Sequence, residues 1–269
     1  MTHSRPAVRD LLTSRGLAPR RELGQNFVAD PNTVRRIARL AGVGPGDHVV
    51  EIGAGLGSLT LALAETGAAV TAVEVDRGVV AVLREVVADV EGVRVVEADA
   101  MQLDWSVLLA RADRWVLVAN LPYNVATPLV ADLLDGVPAI ERMLVMVQKE
   151  VGQRLAARPA TPAYGAVSVK VAYWATARLV GDVPASVFVP RPNVTSTLVE
   201  IVRRPPPAVD RGRLFVLVRT AFGQRRKMLR RSLAGVVTAE QFAAAAIEST
   251  ARPEELGLDD WIRLTEATA

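Results

Sequence analysis

The chain of 269 residues contains no cysteine, which excludes disulfides, thiolate zinc sites, iron–sulfur clusters and cysteine nucleophiles together and fits a reducing compartment. Histidine is nearly absent too: His3 and His48 are the only two, so a histidine-rich metal site is not expected. No apolar run approaches the roughly 18 residues needed to span a bilayer. The positively charged first residues lead into no apolar stretch of signal-peptide type. The expectation is a cytoplasmic protein with no membrane partner. Glycine (19 residues) and proline (16) stay near background, which removes collagen-like and low-complexity architectures.

What is present is a globular balance. Half of the residues are hydrophobic and 23% are charged, enough for a sizeable core. The length exceeds the usual single-domain mode, so one large α/β domain with a smaller appendage is expected. The net charge of +3 hides a segregation. Residues 1–36 carry a net +4, 37–200 a net −5, 201–231 ten basic groups against the single Asp210 for a net +9, and 232–269 a net −5. Two basic zones flanking an acidic domain point to a polyanion, and nucleic acid fits best. The plain alternative is that these arginines only solvate helices.

Asp30-Pro31 reads as a cap followed by proline at the first helical position, opening a helix to about residue 40 that Gly42 ends. An alternation follows: strand 48–52, helix 58–65, strand 69–74, helix 78–90, strand 93–97 and strand 115–119. Thr127-Pro128 repeats the cap signal before a helix to 134, and 143–147 is a fifth apolar strand. Short apolar runs between helices predict a parallel sheet covered on both faces. The runs 178–183 and 196–202 are expected to complete it as a hairpin-like pair. Three prolines at 205–207 mark a domain border, dividing the chain into 1–204 and 205–269. Beyond it, 214–222, 225–233, 239–247 and 258–265 show helical spacing, predicting a small all-helical domain, which the basic stretch over 201–231 makes the expected RNA-binding one.

Glu51-Ile52-Gly53-Ala54-Gly55-Leu56-Gly57 follows a strand and opens a helix, the context of a nucleotide-binding loop in which Gly53, Gly55 and Gly57 let backbone approach a ligand. Glu74 ends the next strand about 20 residues on, where a carboxylate accepts from two ribose hydroxyls. Asp99-Ala100, after the third strand, places another acid at the same edge, suited to an adenine amino group. A nicotinamide dinucleotide stays open. The pattern G-x-G-x-G, however, differs from the G-x-G-x-x-G common at pyrophosphate sites and favours S-adenosyl-L-methionine, which has no phosphate to cradle.

Asn120-Leu121-Pro122-Tyr123 follows the fourth strand. An adenine amino nitrogen is a poor nucleophile because its lone pair is delocalised into the ring. Two acceptors on its hydrogens, the Asn120 side-chain oxygen and the Leu121 carbonyl, can orient that pair toward a sulfonium methyl. Tyr123 can stack on an extruded base, with Phe188 as the second aromatic.

Together with Leu23-Gly-Gln25-Asn26-Phe27, Gln148-Lys-Glu-Val151, Tyr164-Gly-Ala-Val-Ser168, Phe188-Val-Pro-Arg-Pro192 and Phe222-Gly-Gln-Arg225-Arg226-Lys227-Met-Leu-Arg230, these motifs resemble the ribosomal RNA adenine dimethyltransferase family, KsgA-type small-subunit enzymes in particular. The resemblance spans nearly the whole chain. It implies a seven-stranded class I methyltransferase domain with a helical C-terminal domain, acting on two adjacent adenines near the 3′ end of 16S rRNA within the small ribosomal subunit or its precursor, as a monomer. It also implies that Gln25 and Asn26 lie near the methionine end of the cofactor, that Glu74 holds its ribose and Asp99 its adenine, and that Asn120, Leu121, Tyr123 and Phe188 hold the target base. Arg225, Arg226, Lys227, Arg230 and Arg231 form the expected RNA-binding cluster. Where the family often reads Pro-Lys-Val-Asp-Ser, this chain has Pro192-Asn193-Val194-Thr195-Ser196. Three rivals share parts of the pattern: a large-subunit adenine methyltransferase conferring antibiotic resistance, a non-catalytic RNA- or DNA-binding factor on the same fold, and a nicotinamide-dependent oxidoreductase.

Overall fold

The computed structural model describes residues 2–20, 22–122 and 125–268. In chain order the strands are β1 (Phe27–Val28), β2 (His48–Ile52), β3 (Ala69–Glu74), β4 (Val93–Glu97), β5 (Trp115–Asn120), β6 (Ile140–Gln148), β7 (Ala175–Val183), β8 (Phe188–Val189) and β9 (Ser196–Arg203). The α-helices are α1 (Arg5–Ser14), α2 (Pro31–Ala41), α3 (Ser58–Ala64), α4 (Arg77–Val86), α5 (Trp105–Leu108), α6 (Ala126–Gly136), α7 (Lys149–Leu155), α8 (Ala166–Trp174), α9 (Arg211–Phe222), α10 (Leu229–Ser232), α11 (Ala239–Ala244) and α12 (Leu258–Ala267).

Seven strands form one sheet in the order β4-β3-β2-β5-β6-β9-β7. Strands β4 to β6 run parallel, and β9 enters antiparallel beside β6, pairing Met143 with Ile201 and Gln148 with Ser196. The sheet starts at β2, builds outward through β3 and β4, then returns to the other side of β2 as β5. Between β2 and β5 the winding direction switches, and ligands of open α/β sheets sit outside the carboxyl ends of such strands. Valines and leucines buried from both faces explain the unbroken apolar runs: Val49, Val70, Val118 and Leu144 pack with Ile37 of α2 and Leu63 of α3.

The capping at Asp30 is as the sequence predicts: its Oδ2 accepts from the Thr33 amide at 2.9 Å, and Gly42 ends α2 in the left-handed conformation, φ 56°. The second such signal fails. Helix α6 begins at Ala126 behind Val125 with no side-chain cap, so Thr127 and Pro128 lie inside its first turn. The far end of α6 is closed by an arginine from β9. Arg203 donates to the carbonyls of Leu133, Leu134, Val137 and Ile140 at 2.8–3.1 Å, so one guanidinium ties β9 to the last turn of α6 and the start of β6.

Contacts divide the chain into Met1–Gly152 with Arg178–Arg203, and Gln153–Ala177 with Arg204–Ala269. The sequence reading set one border at 204; residues 153–177 group instead with the C-terminal helices. The reason is apolar burial: Tyr164, Val169 and Tyr173 share a cluster with Leu214, Val218 and Trp261, and the Tyr164 hydroxyl donates to the Leu256 carbonyl at 2.9 Å. In the same unit the expected helix over 225–233 contracts to α10. Residues 223–226 form turns, and Met228 is extended (φ −61°, ψ 149°). The amides of Leu229 and Arg230 are taken by the carbonyls of Ala251 and Ser249 at 2.8 and 2.9 Å, so tertiary hydrogen bonds hold the start of α10 in place of an earlier turn of helix.

Candidate active site

The carboxyl ends of β2, β3 and β5 open onto a cavity of about 240 Å³. Its walls come from 22–28, 51–56, 73–75 and 98–101, with Asn120, Pro122 and Leu129 closing the far side. Seven residues expected at the cofactor line it, Gln25, Asn26, Gly53, Gly55, Glu74, Asp99 and Ala100, and so does Asn120, expected both at the target base and beside the cofactor.

The glycine loop and Glu74 build one another. Glu74 is buried at the end of β3, where its Oε2 accepts from the Gly55 amide at 2.9 Å and its Oε1 from those of Val75 and Asp76 at 2.9 and 3.0 Å. Three backbone donors fix the carboxylate without using all its lone pairs. Burial pushes the carboxyl up from its ordinary value, and the three hydrogen bonds oppose that shift. Gly55 adopts φ 57°, and a Cβ there would stand 3.0 Å from the Phe27 ring, so the loop lies flat against the N-terminal arm. Gly57 differs from its neighbours. It does not line the cavity; at φ 86° it precedes α3, and a Cβ would stand 2.9 Å from Leu83 Cδ1 of α4. Its service is helix packing, not ligand approach.

Asp99 turns its oxygens onto its own loop, accepting from the Met101 amide at 2.9 Å and from Gln102 Nε2 at 3.1 Å. The Asn120 carboxamide is oriented: Nδ2 donates to the Asn26 carbonyl at 3.1 Å, which turns Oδ1 away from that bond as an acceptor. Leu121 is buried, its amide donating to the Met146 carbonyl at 3.0 Å, which pins the turn to β6. Tyr123 lies outside the described residues. Phe188 corrects the sequence reading. It is fully buried on β8, paired with Val28 of β1 and packed with Val183 and Leu198, and does not line the cavity. A ring enclosed in the core offers no face to a base.

Glu51 was not among the expected site residues. It lines the cavity floor, 1% exposed, with Oε2 accepting from the Thr60 hydroxyl at 2.6 Å. Burial pushes its carboxyl up to about 8, the Glu74 charge adds to the shift, and the Thr60 bond opposes it. The signal was present in the sequence, as an acid directly before the glycine loop. With Glu22, Glu74 and Asp99 on its walls and no lysine, arginine or histidine among the described lining residues, the cavity suits a cation and disfavours a pyrophosphate.

Of the basic cluster, Arg225 is committed within its own unit. It donates to Glu254 Oε2 at 2.6 Å and to the Pro162 carbonyl at 2.8 Å. Arg226, Lys227, Arg230 and Arg231 are exposed. Among the described residues no group of three or more His, Cys, Asp or Glu side chains could hold a metal ion, and no helix is long and apolar enough to cross a membrane.

The ribosomal RNA adenine dimethylase family matches residues 16–269. The ribosomal RNA small subunit methyltransferase A of Bifidobacterium adolescentis is 45% identical over 278 aligned positions, covering 97% of this chain and 92% of that protein. That of Thermobifida fusca is 48% identical, covering 96% and 93%. Among solved structures, a dimethyladenosine transferase from Plasmodium falciparum shares the fold with a TM-score of 0.78 at 21% identity, over 88% of this chain and 95% of its own. The 23S rRNA methyltransferase ErmE gives 0.70 at 25% identity, over 90% and 99%. Similarity at that level, running from the N-terminal arm to the last helix, reflects common descent: the chain belongs to the ribosomal RNA adenine dimethylase family.

Proposed function

We propose that this protein transfers methyl groups from S-adenosylmethionine to N6 of two adjacent adenines near the 3′ end of 16S rRNA in the small ribosomal subunit. The single observation that carries the cofactor is the acidic lining of the cavity. A sulfonium with an α-ammonium group is favoured by the Glu22, Glu74 and Asp99 carboxylates, and a dinucleotide pyrophosphate is not. When bound, S-adenosylmethionine would supply an electrophilic methyl group whose leaving group, a neutral thioether, needs no acid catalysis. Glu74, held by three amides, presents remaining lone pairs to ribose hydroxyls, and Val75 and Met101 offer apolar surface to a purine.

The chain's own part in the chemistry is orientation. With Nδ2 tied to the Asn26 carbonyl, the Asn120 oxygen accepts from the adenine amino group and directs its lone pair at the methyl. Tyr123 stacks on the base, and Arg226, Lys227, Arg230 and Arg231 follow the RNA backbone. Relatives at 45–48% identity carry the small-subunit name, whereas the large-subunit enzyme ErmE stands at 25%, which favours the small-subunit substrate.

Calorimetry tests the cofactor assignment. Glu74→Ala and Asp99→Ala should each weaken S-adenosylmethionine binding by about 1–3 kcal/mol, the cost of leaving a donor without its charged acceptor. Unchanged affinity in both would remove these residues from the site.

A further inference from the structure

The arm that walls the cavity is held from outside by a carboxylate that does not line it. Asp76 is 8% exposed and works with both oxygens. Oδ1 accepts from the amides of Gly78 and Val79 at 2.9 and 3.4 Å, capping α4. Oδ2 accepts from Gln25 Nε2 at 3.0 Å, and Arg20 Nη1 stands 3.6 Å from it. Gln25 in turn accepts the Arg20 amide on Oε1 at 2.8 Å. Its carboxamide is therefore fixed in polarity: rotating it to suit a different partner at 76 would set Nε2 against the Arg20 N–H.

Glu22 and Gln25 line both the cofactor cavity and a second, polar cleft of about 770 Å³, and Asp76 faces the cleft only. The stretch around Gln25 is thus the partition between the two. The next residue, Asn26, supplies the carbonyl that orients Asn120. A continuous path runs from Asp76 through Gln25 and Asn26 to the Asn120 carboxamide.

We propose that Asp76 is a positioning residue for methyl transfer, pinning Gln25 and Arg20 so that the arm keeps both the cofactor wall and the Asn26 carbonyl in place. The inference rests on the methyltransferase reading above. Asp76→Asn isolates the role. Asparagine caps helices as well as aspartate does, so the cap on α4 survives, while its amide presents a donor to the Gln25 donor and removes one of the two carboxylates paired with Arg20, leaving Glu22 at 3.9 Å.

The expected result is a cooperative unfolding transition with its midpoint lowered slightly by the lost bond, S-adenosylmethionine dissociating about tenfold faster, and single-turnover methylation of unmethylated small subunits about tenfold slower, the scale of one hydrogen bond to a charged group. Combined with Gln25→Ala, the loss should not exceed that of the worse single variant, because both break one link. Dissociation and turnover at wild-type rates, or losses that add with Gln25→Ala, would overturn the proposal and leave Asp76 as a helix cap alone. Failure of the underlying reading is distinct from either outcome: the wild-type protein would itself neither bind S-adenosylmethionine nor methylate small subunits.

Discussion

A carboxamide is useful at position 120 because it has two ends of opposite polarity, and the structure occupies one of them. The Asn26 carbonyl takes Nδ2, so the acceptor end faces the reacting centre without a search over rotamers. Asn120→Ala should keep cofactor affinity close to wild type and slow single-turnover methylation by about a hundredfold, since the orienting bond matters most in the transition state. Wild-type turnover would defeat the lone-pair argument. Glu51 allows a second test at this scale. Its folded carboxyl titrates near 8 and its unfolded one near 4.5, so the folded state holds the proton longer. Stability is full below the unfolded value, falls as pH rises through that window, and levels off above about 8. Glu51→Gln, neutral throughout, should flatten the fall of the unfolding midpoint between about pH 4.5 and 8. An unchanged slope would show that Glu51 is ionised in the folded protein.

At the scale of elements, the features legible in the sequence were those governed by local chemistry. Asp30, Pro31 and Gly42 delimit α2 by themselves, and the apolar runs of β2, β3, β5 and β6 need no partner to be recognised. Glu74 and Gly55 were found because strand-loop-helix spacing brings them together. What escaped detection depended on distant chain. Phe188 enters the core because two-residue β8 pairs with β1, a register that no local pattern announces. Helix α10 is short because residues 249 and 251 take its first amides. Gly57 belongs to the glycine pattern yet serves the contact between α3 and α4. Gly57→Ala should therefore cost about 1–3 kcal/mol in denaturant titrations, from positive φ and crowding at Leu83. Stability equal to wild type would return Gly57 to a ligand role.

Across the whole molecule, charge is the organising quantity: an acidic cofactor cavity in one unit and a +9 stretch over 201–231 leading into the other. In the proposed reading these serve opposite ligands, a cation and a polyanion. Replacing Arg226, Lys227 and Arg230 with alanine should lower the log–log salt slope of RNA binding by about 2–3, with cofactor affinity unmoved. Arg225→Ala should leave that slope alone and lower the unfolding midpoint, because its guanidinium is spent on Glu254 and the Pro162 carbonyl. The reverse pattern would place the RNA contact elsewhere.

The central claim is that this cavity methylates adenine N6 in small-subunit RNA, and mapping the transferred methyl groups tests it most directly. Unmethylated small subunits, and large subunits beside them, would be incubated with the protein and S-adenosylmethionine carrying a labelled methyl group. The account predicts label confined to N6 of two adjacent adenines near the 3′ end of 16S rRNA, dimethylated by the wild-type protein and nearly unlabelled with Asn120→Ala. Label in the large-subunit RNA, label on an atom other than adenine N6, or undiminished transfer by the Asn120 variant would contradict it.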